Sequence, residues 1–79
     1  MGYKVYALYS YKDKNLYIGI TNNIERRIYE HNSGQQKSTK SRRPFKLIYE
    51  EECDNRIAAR ERERYLKSGC GREYLKSII

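Results

Sequence analysis

The chain has 79 residues, 38% of them hydrophobic and 34% charged, and 17 Lys and Arg against 10 Asp and Glu give it a net charge of +7. That length makes one domain with a thin core, because a chain near this size buries only about 60% of the surface its unfolded form exposes. The composition is globular rather than disordered, and no apolar run approaches the ~20 residues of a membrane-spanning helix. The cation excess points to a polyanionic partner or, read minimally, to a basic but solvated surface.

The first predicted element is a strand over Tyr3 to Ser10, where Tyr3, Val5, Ala7 and Tyr9 alternate with Lys4, Tyr6, Leu8 and Ser10. Met1 leads directly into it with no leader pattern, so the expected setting is soluble and cytoplasmic. Tyr11 to Asn15 reads as a turn and Leu16 to Thr21 as a second strand, closing an antiparallel hairpin. Thr21 or Asn22 is placed to cap a helix from about Asn23 to Asn32, which Ser33-Gly34 ends. From Ser33 to Lys46 the chain carries Lys37, Lys40, Arg42, Arg43 and Lys46 with no acid, a polar loop suited to phosphate contacts. Pro44 precedes a third strand, Phe45 to Tyr49, and acids bunch just beyond it at Glu50 to Glu52. Asp54 or Asn55 caps a second helix running to about Ser68; Gly69 is its expected stop, and Cys70-Gly71 joins a last helix from Arg72 to Ile79. The order β-β-α-β-α-α defines an α+β domain, residues 1–79, with a three-stranded, mainly antiparallel sheet.

Two cysteines, one histidine and no CxxC pair supply neither a disulfide scaffold nor a zinc site, so Cys53 and Cys70 are expected to be reduced and incidental. Arg27 and His31 are four apart and share a face of the first helix, beside the apolar stripe of Ile24 and Ile28. They suit the binding and polarising of a phosphate, or are simply a surface arginine and a half-buried histidine. On the second helix Ala59, Glu63 and Leu66 share a face, while Arg56, Arg60, Glu61 and Arg64 spread around the rest. A carboxylate beside a buried stripe needs a cation, a metal or a strong donor. A salt bridge to Arg27 or another basic residue is one solution. A hard divalent ion that keeps its waters, such as Mg²⁺, is the other. Of the nine tyrosines, Tyr3, Tyr9 and Tyr49 read as sheet packing, and Tyr29, Tyr65 and Tyr74 as cover on the helices.

Val5-Tyr6, then Tyr17-Ile18-Gly19, then Asn23 to Asn32 with Arg27 and His31, and finally Ala59 to Gly69 stand in an order and spacing that resembles the GIY-YIG nuclease domain, in its small single-domain form. The resemblance covers nearly the whole chain. It departs at Lys4, which stands where the first motif often has glycine. It implies that Tyr6, Tyr17, Arg27, His31 and Glu63 are the catalytic set, that Glu63 is the metal ligand, and that Gly19 lets the backbone approach the site. The implied reaction is Mg²⁺- or Mn²⁺-dependent hydrolysis of DNA phosphodiesters. Glu63 would hold the metal, Arg27 would neutralise phosphate charge, and Tyr6 or Tyr17, with His31, would orient or deprotonate the attacking water. The basic loop would track the DNA backbone. With no appended domain to read sequence, cleavage is expected to follow DNA structure, or to need a protein partner or homodimer, in a setting of DNA repair or recombination. The alternative is a nucleic-acid-binding module that keeps the fold and cleaves weakly or not at all.

Overall fold

The computed structural model describes residues 2–79. Strands β1 (Tyr3–Ser10), β2 (Leu16–Thr21) and β3 (Phe45–Cys53) form one antiparallel sheet in the order β2-β1-β3. Helices α1 (Ile24–Ser33), α2 (Arg56–Lys67) and α3 (Gly69–Ser77) complete the domain, with a short 3-10 turn at Lys40–Arg42. The α+β class and the element order expected from the sequence are those observed.

The alternation along β1 splits the core between two faces of the sheet. Val5 and Ala7 join Ile18, Cys53, Ala59, Leu66 and Leu75 on the side covered by α2 and α3. Tyr6 and Leu8 join Phe45, with Tyr17, Ile24, Ile28 and Leu47 packed around them, on the side covered by α1. Tyr6 and Tyr17 therefore lie beneath α1, not beneath α2.

Several boundaries differ from expectation, each for a local reason. Asn23, not Thr21 or Asn22, caps α1: its side chain accepts from the Arg26 amide at 3.1 Å, while the Thr21 hydroxyl accepts from the Asn23 amide at 3.0 Å. Strand β3 continues through the acidic run to Cys53, because Lys4, Val5 and Tyr6 pair with Glu52, Glu51 and Glu50. Lys4 itself binds Glu50 at 2.7 Å. Gly69 does not end α2 but opens α3. Ser68, in extended conformation, closes the one helix and caps the other, its hydroxyl accepting from the Gly71 amide at 3.4 Å. Asn55 caps α2, accepting from Ala58 at 2.9 Å. Cys53 is buried, Cys70 exposed, and both are free thiols. Among the described residues no helix is long and apolar enough to cross a membrane.

Candidate active site

The hairpin builds the first half of the site. Tyr6 faces Gly19 across the β1–β2 ladder. A Cβ at position 19 would stand 2.7 Å from the Tyr6 hydroxyl oxygen and 2.9 Å from its ring, so only glycine lets the phenol lie flat over β2. Tyr6 is 1% exposed. Its hydroxyl lies 3.1 Å from His31 Nε2, and the rings of Tyr17 and His31 meet edge to face at 4.8 Å.

His31 comes from α1, one helical turn after Arg27. It is fully buried, and its Nδ1 lies 2.9 Å from the hydroxyl of Thr39, which is buried as well. Thr39 donates to the Gln36 carbonyl at 3.4 Å, so the network assigns the proton of His31 to Nδ1 and leaves Nε2 to accept from Tyr6. The result is a chain of three buried polar side chains, Tyr6, His31 and Thr39, each satisfied by the next. Burial, and then the charge of Arg27, push the imidazole down from 6.5 to about 4. Burial, and then the neighbouring Tyr17, push the Tyr6 phenol up to about 12, against the pull of Arg27. Both groups are neutral at pH 7.

Arg27 lies at the rim, its side chain 32% exposed and bound to Glu30 at 3.0 Å. Its Nε is buried with no hydrogen-bond partner. With Ile20, Thr21, Asn22 and Arg26 it lines a shallow depression that reaches Arg56 of α2. Tyr17 is half-buried, so its phenol is the more accessible of the two.

Glu63 belongs to α2. Its side chain is 12% exposed and ion-paired with Lys67 at 3.1 Å and Arg60 at 3.7 Å, and it lines a depression with Arg60, Arg64 and Lys67. Its charge reaches Tyr6, where it adds to the influences holding the phenol protonated. Thus Tyr6, Tyr17, Arg27 and His31 form one cluster, and Glu63 belongs to the helix that covers the other face of the sheet. Of the two solutions open for a carboxylate here, the salt bridge is present, to Arg60 and Lys67 rather than Arg27.

The basic segment after α1 has two of its cations committed within the fold. Arg42 is committed to Asp13, donates to the Leu16 carbonyl at 3.2 Å and stacks over Phe45 at 5.6 Å. Arg43 donates to the Lys40 carbonyl at 2.9 Å. Lys37, Lys40 and Lys46 remain exposed. Two residues outside the expected site hold it in shape. Thr39 fixes His31. Asn32 accepts from the Phe45 amide at 2.8 Å and donates to the Phe45 carbonyl at 3.3 Å, so the end of α1 grips the start of β3. Thr39 sits in a stretch that reads only as polar loop, and no local pattern marks it.

A family model of the GIY-YIG catalytic domain matches residues 2–74, and the chain belongs to that family. Membership places it in a nuclease superfamily and implies a nucleic-acid substrate. It is 45% identical to a UPF0213 protein of Natronomonas pharaonis over 65 residues, covering 81% of this chain and 75% of that one. A UPF0213 protein of Staphylococcus saprophyticus is 44% identical over 68 residues, covering 85% and 83%. The solution NMR structure of a UPF0213 protein from Bacillus halodurans superposes with a TM-score of 0.58 at 35% identity, over 98% of this chain and 84% of that one.

Proposed function

We propose that this protein is a metal-dependent endonuclease that hydrolyses DNA phosphodiester bonds, directed by DNA structure rather than sequence, in a repair or recombination setting. The observation that carries the reading is the buried Tyr6–His31 pair held at 3.1 Å beside Arg27, a cation whose buried Nε lacks an acceptor. A satisfied buried hydrogen bond contributes only about 0.5–1.5 kcal/mol net, whereas an orphaned buried donor costs about 1–3 kcal/mol. A thin-cored domain has no packing reason to keep them together.

In this reading Arg27 binds the scissile phosphate and offsets the charge that builds on it. Tyr17, the accessible phenol, orients the attacking water by accepting a hydrogen bond from it, and the water's proton leaves to solvent. Tyr6 and His31 lie behind it: the neutral imidazole accepts from Tyr6 and keeps that phenol at a fixed angle. Glu63 is the residue suited to a divalent ion. Among the described residues no three His, Cys, Asp or Glu side chains gather as a ligand set. A lone carboxylate suits Mg²⁺ or Mn²⁺, which keep several waters, and not zinc. When bound there, the ion would stabilise charge on the phosphate and leaving oxygens.

The test is cleavage of branched, flapped and single-stranded DNA across a range of Mg²⁺ and Mn²⁺, by wild type and Glu63→Gln. Wild type cuts and the variant loses at least about a hundredfold in rate, as expected when a metal ligand that acts in the transition state is removed. Binding without cleavage by wild type at every metal level would leave a binding module of the same fold. Equal cutting by both proteins would remove Glu63 from the mechanism.

A further inference from the structure

We propose that the exposed face of α2 is the track for the DNA strand that carries the scissile phosphate, with Arg56, Arg60, Arg64 and Lys67 contacting phosphates along it. The proposal rests on the DNA-cleaving reading above and deepens it.

At 100° per residue these four cations and Glu63 fall within roughly 100° of arc on α2. Ala59 and Leu66, both buried, mark the adjoining core-facing side. Glu63 therefore stands on the border between core and basic stripe, so a strand laid on the stripe passes over the carboxylate. The stripe is also continuous with Arg27. Arg56, the first residue of α2, lines the same depression as Arg26 and Arg27. From Arg56 to Lys67 the helix rises roughly 16 Å, close to five phosphate-to-phosphate steps of about 3.4 Å along one strand.

A charged helix face is ordinarily a solvated one, but this face violates two rules that a merely solvated face obeys. Arg56 occupies the first turn, where the helix dipole disfavours cations, and no acid accompanies it there. Arg56–Arg60 and Arg60–Arg64 are like-charge pairs four residues apart, each destabilising the helix. Among the described residues neither Arg56 nor Arg64 has a carboxylate within ion-pair distance, whereas Arg60 and Lys67 pair only with Glu63. Cations kept at a local cost and left unpaired call for an anion from outside, and a phosphodiester backbone supplies evenly spaced ones. The segment after α1 is the rival track. Its Arg42 and Arg43 are occupied within the fold, and it packs against α1 on the opposite face of the sheet from α2.

The experiment compares DNA binding by wild type, Arg56→Gln/Arg64→Gln and Lys37→Gln/Lys40→Gln, two variants with the same loss of charge. Fluorescence anisotropy with a labelled branched duplex is measured from 0.05 to 0.3 M salt without divalent ions. The α2 variant should bind roughly ten- to a hundredfold more weakly at 0.1 M salt, with the slope of log affinity against log salt reduced by about 1.8, or 0.9 per lost contact. The Lys37/Lys40 variant should change much less. Equal losses in both variants would reduce the effect to net charge and overturn the track. An unaffected α2 variant would overturn it too, while leaving the endonuclease reading intact. No DNA binding by wild type even at 0.05 M salt would sink both.

Discussion

His31 shows what burial does to one residue. It is the only histidine in the chain, so its titration can be read without assignment ambiguity. Burial and the Arg27 charge hold it at about 4, well below the 6.5 of a solvated imidazole. The folded state thus binds the proton less readily than the unfolded state. The associated stability is fully present above about pH 6.5 and is lost as pH falls from there toward 4, a loss of about 3 kcal/mol. An NMR titration of the imidazole should give a midpoint near 4 with urea stability declining over the same window; a midpoint of 6 or above would place the ring in water. Thr39 has a separate consequence. Thr39→Val keeps the side chain's shape but strands the Nδ1 proton of a buried ring, which costs roughly 1–3 kcal/mol. It also frees His31 to place its proton on Nε2, against the Tyr6 hydroxyl. Turnover should then fall with little change in KM, and Thr39→Ser should restore it. A structural role alone would lower stability in Thr39→Val without touching the rate of the folded enzyme.

The α2–α3 joint shows at the scale of elements why two glycines two residues apart are not equivalent. A Cβ at Gly71 would stand 2.4 Å from the Leu66 Cα, so glycine there is what lets α3 fold back onto α2. A Cβ at Gly69 meets nothing within 4 Å. Gly71→Ala should therefore lower Tm by many degrees, while Gly69→Ala should leave it unchanged or raise it, since alanine favours a helix over glycine by up to about 1 kcal/mol. Thermal melts of the two variants check both signs. The sequence predicts Gly69 as the stop of α2 and Gly71 in the joint, because a glycine after a helical run usually marks its end, but both lie within α3. Ser68 does that work instead, and a serine's capping role depends on a helix that must already be in place behind it. Elsewhere the local signals were enough. The period-two alternation of β1 assigned Tyr6 and Val5 to opposite faces of the sheet correctly, and Asn55 was among the caps offered for α2. The extension of β3 through Glu50, Glu51 and Glu52 was hidden because a run of acids disfavours a strand until β1 supplies its ladder and Lys4 its counter-charge.

Across the whole molecule, the site was legible where it rests on spacing and illegible where it rests on folding. Arg27 one turn before His31 follows from the helix period, whereas Tyr6 opposite Gly19 depends on the register that the Tyr11 to Asn15 turn sets. That Glu63 stands on a helix covering the opposite face of the sheet does not follow either, because no local period reports which side of a sheet a later helix will cover. The arginine stripe on α2 was visible at four-residue intervals, yet it reads as scattered charge until Glu63 and the core side are located. This division between two faces has a thermodynamic consequence. A protein of net charge +7, with its metal-ligand candidate already paired to Arg60 and Lys67, should bind a free divalent cation poorly. DNA on the α2 face would neutralise those cations and supply phosphate oxygens of its own, so metal and DNA should each strengthen the other's binding by the same factor. Small domains report such coupling clearly, since about 1 kcal/mol moves Tm by about 4–8 °C. Mg²⁺ alone should barely shift the melt, DNA alone should raise it, and the two together should exceed the sum by several degrees, with Ca²⁺ as a check against cleavage during the scan. In Glu63→Gln the surplus should vanish while the melt of the free protein stays within a few degrees of wild type, because the ion pairs it loses have exposed partners and contribute under about 1 kcal/mol each. A surplus that survives in Glu63→Gln would put the metal on the phosphate alone and take Glu63 out of the coupling.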